Sequence, residues 1–140
     1  MTFEGIDYWA VFLATVAGVV IGALWYRAFA SPWAGATGIT PEMAKDKDGR
    51  SPWPYVCAFI AELVIAWALA GLLGHFGPGQ VTLRNGVISG AFCWLGFVVT
   101  TKAVNYTFTR RDVRLILIDS GYWLVTLVAM GAIIGGMGLK

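Results

Sequence analysis

A chain of 140 residues that is 58% hydrophobic and 13% charged, with a mean hydropathy of +0.70, lacks the polar surface of a water-facing globule, which carries about 25% charged residues. Its net charge of +2 is the difference between 10 basic and 8 acidic residues, and the basic ones are scattered over short connections, which argues against a nucleic-acid surface, since that needs a clustered basic patch. What remains is an all-α integral membrane protein, one domain over residues 1–140, with the lipid bilayer as its first partner.

Four apolar segments follow in chain order: Tyr8–Phe29, Tyr55–Phe76, about Gly86–Phe108, and Val113–Met137. Each has ~20 or more residues, enough to cross a hydrocarbon core of about 30 Å as a helix. Together they predict a four-helix transmembrane bundle. The first segment is too long for a cleavable signal, whose apolar core spans about 7–15 residues, and no basic leader precedes it. Between the first two spans, Thr40-Pro41-Glu42 supplies a capping threonine and a first-turn proline. That predicts a short cytoplasmic surface helix through about Lys47. Ser-Pro-Trp occurs at both ends of this connection, at Ser31–Trp33 and Ser51–Trp53, and both tryptophans read as interface anchors. Pro32, Pro41, Pro52, Pro54 and Pro78 all lie in connections or at a helix start, where a missing N–H costs little.

Basic residues set the expected orientation. Arg27, Lys45, Lys47 and Arg50 lie in or beside the first connection, and Arg110, Arg111 and Arg114 at the third. The positive-inside rule then puts both of these connections in the cytoplasm and both termini outside, in a bacterial cytoplasmic membrane. Small residues four apart recur in every span, as Gly18/Gly22, Ala66/Ala70, Gly86/Gly90 and Gly131/Gly135. Such pairs let backbones approach closely in lipid. Cys57 and Cys93 differ in depth by roughly 20 Å at about 1.5 Å per residue, too far for a disulfide. They read as small buried hydrophobes, and His75 as a residue at the outer end of the second span.

The chemistry concentrates in three ionisable residues set inside apolar segments: Glu62, Lys102 and Asp119. Each costs roughly 2.5–3.5 kcal/mol at the centre of a membrane helix, so each marks a site by default. Glu62 lies eight residues beyond Pro54, Lys102 eight before Arg110, and Asp119 eight beyond Arg111. Eight residues of helix rise about 12 Å, which brings all three to one level and predicts that they meet. On the fourth span Asp112, Asp119, Tyr122, Trp123 and Thr126 form a polar stripe. Thr101, Lys102 and Asn105 add donors and acceptors on the third, and the first span is expected to pack as a support. A lysine flanked by two carboxylates suits a proton relay or a cation site. It equally suits a structural lock that fixes helix register. A third arrangement has Lys102 snorkelling to the interface.

Several short motifs are familiar. They are Tyr8-Trp9-Ala10-Val11, Gly22-Ala23-Leu24-Trp25-Tyr26, Trp94-Leu95-Gly96-Phe97 with Thr100 and Asn105, and the run from Ile118 to Val125. In these the chain resembles the bacterial membrane family catalogued as domain of unknown function 1761. The resemblance implies a four-helix integral membrane protein without an established activity. It marks Asn105, Asp119, Tyr122 and Trp123 as characteristic positions, whereas Glu62 and Lys102 are matched to no family motif.

Two functions follow as expectations. One is an oligomeric transporter or channel for protons, cations or small polar solutes, with Glu62, Lys102, Asn105, Asp119, Tyr122 and Trp123 as its site. Four helices of this length hardly enclose a path alone, so this reading expects a homo-oligomer. The alternative is a non-catalytic scaffold whose charges lock its helices. The sequence offers no metal-ligand spacing, no nucleophile with a base and no phosphate loop, so neither an enzyme nor a cofactor is expected.

Overall fold

The computed structural model describes residues 3–39 and 52–139. These form α1 (Tyr8–Ala28), α2 (Ala30–Thr37), α3 (Trp53–Gly74), α4 (Leu83–Phe108) and α5 (Val113–Met137). The helices α1, α3, α4 and α5, of 21, 22, 26 and 25 residues, are long and apolar enough to cross a membrane. At about 1.5 Å per residue the shortest rises ~32 Å, matching a hydrocarbon core of about 30 Å. Their bounds fall within a few residues of those expected from hydropathy. The surface helix expected over Thr40–Lys47 lies outside the described residues. The helix seen in that connection is α2, which takes Pro32 into its first turn, where the ring meets no preceding carbonyl.

Local chemistry sets where the spans begin. Asp7 caps α1, its side chain accepting from the backbone N–H groups of Trp9 at 3.0 Å and Ala10 at 3.4 Å. Thr82 caps α4 by accepting from Asn85 N at 3.1 Å, and Asp112 caps α5 by accepting from Arg114 N at 2.9 Å. Each cap satisfies N–H groups that a helix start leaves without intrahelical partners. The turn from α4 to α5 is tight: Arg111 N donates to Tyr106 O at 2.8 Å and Arg110 N to Thr107 O at 3.1 Å. This pattern requires a left-handed residue at its corner, and Arg110 takes that conformation with φ 58°, where glycine is the usual occupant.

Helix α5 is central and touches all four other helices. Its seam with α4 is built on glycine. A Cβ placed on Gly86 would run into the carbonyl of Gly131, and one on Gly131 into the carbonyl of Gly86. Only bare backbones approach this closely, and in lipid such packing replaces the absent hydrophobic drive between helices. On the other side, Ala10, Ala14, Ala66, Ala70, Leu73, Met130 and Ile134 join α1, α3 and α5 in a buried core. An antiparallel bridge between Ile6 and Leu139 joins the segment before α1 to the segment after α5.

Helix α4 is irregular in its middle. Trp94–Val98 form a π-helical turn, and the Trp94 indole donates to the carbonyl of Ser120 at 2.7 Å. Beyond that turn, none of Val99–Phe108 is buried. The threonines of this half satisfy their hydroxyls locally: Thr100 donates to Gly96 O at 3.0 Å, Thr101 to Phe97 O at 2.6 Å and Thr107 to Ala103 O at 2.6 Å. Back-bonding of this kind lets a hydroxyl face lipid without an external partner.

Candidate functional site

A buried carboxylate in an apolar surround must find donors, because leaving it without them costs several kcal/mol. Asp119, 9% exposed on α5, finds two. Tyr26 from α1 donates to Oδ1 at 2.6 Å, and Tyr106 from α4 donates to Oδ2 at 2.7 Å. One carboxylate thereby ties three helices together. The Trp25 indole reinforces the same contact by donating to the carbonyl of Ile118 at 3.0 Å.

Glu62, 3% exposed on α3, has a different setting. Its Oε1 is hydrogen-bonded to the Tyr122 hydroxyl of α5, which also contacts the carbonyl oxygen of Gly18 on α1 at 2.9 Å. Its Oε2 is buried and has no hydrogen-bond partner among the described residues. Gly18 makes room for this carboxyl group, since a Cβ there would stand 2.8 Å from Oε2. The two carboxyl groups are neighbours through their tyrosines: Tyr122 lies one turn beyond Asp119, and its ring centroid is 5.4 Å from that of Tyr26. Two polar groups thus lie side by side, Tyr106–Asp119–Tyr26 and Tyr122–Glu62, joined by the ring contact of Tyr26 with Tyr122.

Lys102 joins neither group by an ion pair. Among the described residues it forms no ion pair with Glu62 or Asp119, where the single ion pair is Arg114–Asp112 at 2.9 Å. Its amine instead sits 5.4 Å from the centroid of the Tyr106 ring, within reach of a cation–π contact. The expected meeting of two acids and one lysine is therefore corrected: Glu62 and Asp119 are bonded to different tyrosines, and Lys102 reaches Asp119 only by way of Tyr106. The physical reason lies on one face of α4: Lys102 and Tyr106 are four residues apart and so share that face, and the Tyr106 phenol takes the Asp119 oxygen while the Lys102 amine rests on the Tyr106 ring.

The other expected positions divide. Tyr122 and Thr126 are buried on the face of Asp119, whereas Asp112 is a partly exposed cap at the start of α5. The hydrogen bond from Arg114 holds the Asp112 carboxyl below its usual value. Trp123 is half-buried and packs edge-on against Tyr122, with centroids 4.9 Å apart; it is a packing partner of the site. Asn105 is exposed on the unburied half of α4. The first span is more than a support, since it contributes Tyr26, Trp25 and the Gly18 carbonyl. Tyr26 and Tyr106 are the residues that sequence reasoning missed. Each lies in the last turn of its helix, where tyrosine ordinarily reads as a headgroup-level residue. The sequence held no signal that preferred them over Lys102, Thr101 and Asn105 as donors to Asp119. Among the described residues no group of three His, Cys, Asp or Glu side chains could hold a metal ion.

The chain belongs to the family described as protein of unknown function (DUF1761), whose model matches residues 9–135. The expectation drawn from the short motifs thus holds over most of the chain. No match to it was found among curated proteins or among solved structures.

Proposed function

We propose that this protein is a carrier or channel that handles protons or small cations at the intramembrane pair Glu62 and Asp119. The observation that carries this reading is the position of Lys102. Two carboxyl groups inside the apolar spans are buried, and Lys102, expected between them, forms no ion pair with either among the described residues. Each uncompensated charge costs roughly 2.5–3.5 kcal/mol there. A purely structural lock would have the lysine between the acids. Two acids without it obtain their balance from a cation taken up from solution, and a group that must take up a cation is a group that can release one.

A homo-oligomer in a bacterial cytoplasmic membrane is part of the proposal. None of Val99–Phe108 is itself buried within one protomer, and the exposed Asn105 in that segment carries an amide that both donates and accepts. This suits contact with a second copy. The basic residues favour both termini outside and the first and third connections in the cytoplasm. A second reading, the scaffold, is favoured by one observation: the hydrogen bonds of Asp119 and Glu62 all run between helices.

Purified protein in liposomes separates the two. A pH- or cation-gradient-driven flux that is lost in Asp119→Asn and in Glu62→Gln, with both variants folded and assembled, supports the carrier. Wild-type liposomes that pass no more ions than empty ones refute it and leave the scaffold.

A further inference from the structure

Resting on that reading and making it more specific, we infer that the exchangeable ion is a proton and that its seat is the Glu62 carboxyl, with Asp119 as a fixed anion. A count of hydrogens carries this. At Asp119 both oxygens accept from a tyrosine hydroxyl, at 2.6 Å and 2.7 Å. The two phenols supply two hydrogens for two bonds, so the carboxylate needs none of its own.

At Glu62 the count differs. The Tyr122 hydroxyl contacts both Glu62 Oε1 and the Gly18 carbonyl oxygen. A tyrosine hydroxyl carries one hydrogen, and a backbone carbonyl only accepts. With the Tyr122 hydrogen directed to the Gly18 carbonyl at 2.9 Å, the contact of its oxygen with Oε1 is closed by a hydrogen that the Glu62 carboxyl supplies. Glu62 then donates to Tyr122, and Tyr122 donates to Gly18. The buried Oε2 without a partner agrees with this assignment. An unbonded carbonyl oxygen of a neutral acid costs far less than an unbonded oxygen of a carboxylate.

The groups around Glu62 offer no competing compensation. From α1 it meets the Gly18 backbone and, behind the Tyr122 ring, the phenol of Tyr26. From α5 it meets Tyr122, with Asp119 one turn away and already bonded to two tyrosines. From α4 the amine of Lys102 is turned onto Tyr106. Release of the proton to water leaves Tyr122 with one hydrogen for two acceptors. The hydroxyl turns to the carboxylate, the bond to Gly18 breaks, and α1 is freed from α5 at that point. Uptake of a proton restores both bonds. Glu62 and Tyr122 thus couple proton occupancy to the contact between α1 and α5.

The test is infrared spectroscopy of the intact protein in lipid at neutral pH. The inference requires a carboxylic-acid C=O stretch in the wild type. That band should vanish in Glu62→Gln, persist in Asp119→Asn and change frequency in Tyr122→Phe, which removes the acceptor oxygen. Uniform 13C labelling of glutamate must move the band in unmutated protein, which keeps the test decisive if Glu62→Gln does not fold. A wild type without the band, or a band indifferent to glutamate labelling, overturns the inference. Flux that depends on Glu62 with no acid band means a cation other than the proton, and the carrier stands without this inference. An acid band without any flux means the reverse.

Discussion

Replacing Tyr106 with phenylalanine removes one hydroxyl from Asp119 and leaves the ring in place. The bond lost is 2.7 Å long, and its acceptor is a carboxylate only 9% exposed. Hydrogen bonds to charged groups contribute about 1.5–3 kcal/mol in soluble proteins. Interhelical bonds measured inside membranes average about 0.6 kcal/mol and reach about 1.7 kcal/mol. Asp119 accepts at both oxygens from two other helices, so the upper end of the membrane range applies. Tyr106→Phe should cost about 1.5 kcal/mol, and Tyr26→Phe, whose bond is 2.6 Å, should cost the same. The two losses are coupled through one acceptor. With one phenol left the carboxylate keeps a donor; with neither it is an orphan, a state that costs about 3–5 kcal/mol. The double variant should therefore lose about 4 kcal/mol, roughly 1 kcal/mol beyond the sum. Reversible unfolding in mixed micelles, read as a double-mutant cycle, measures this. Single losses below about 0.3 kcal/mol that simply add would refute the tyrosine clasp.

Three further outcomes follow from the geometry. Gly131→Ala forces a methyl against the carbonyl of Gly86, so α4 and α5 must part, at a cost of about 1–3 kcal/mol. Gly136→Ala meets only Leu83 Cδ1 at 3.7 Å and should be neutral in the same unfolding assay; equal losses in the two variants would contradict the glycine seam. Arg110 holds φ 58°, a conformation costing a non-glycine residue about 1–2 kcal/mol, so Arg110→Gly should raise the unfolding free energy by about 1 kcal/mol. The Asp112 carboxyl is held below its usual value by the Arg114 hydrogen bond. Its contribution to the start of α5 is therefore complete above the ordinary aspartate pKa of about 3.9 and is lost as pH falls through the lower folded value. Thermal melts of the wild type and Asp112→Ala should differ at neutral pH and converge in strong acid. A gap that widens on acidification has the wrong sign.

The spans were legible because hydropathy, proline placement and capping all agree. No apolar run longer than a turn was left for any other structure. The depth of Glu62 and Asp119 was legible too, since rise per residue is fixed once the helix ends are known. Their burial together follows from that depth and from the spacing of Asp119 and Tyr122. Rotation about the axis was not legible on α4. The π turn at Trp94–Val98 leaves no mark in hydropathy, and the sequence does not say which of Lys102 and Tyr106, four residues apart on one face, takes the Asp119 oxygen. Tyr26 and Tyr106 were hidden for another reason. A tyrosine near a helix end has two good uses in a membrane, headgroup contact and donation inward, and composition does not choose between them.

Proton flux into liposomes, compared among the wild type, Lys102→Met and Glu62→Gln, bears most directly on the claim that the buried acids act without the lysine. The account predicts that Lys102→Met carries flux within about two-fold of the wild type, since a lone cation–π contact of about 0.5–2 kcal/mol is all it loses, while Glu62→Gln carries none. Flux abolished in Lys102→Met and preserved in Glu62→Gln would contradict it.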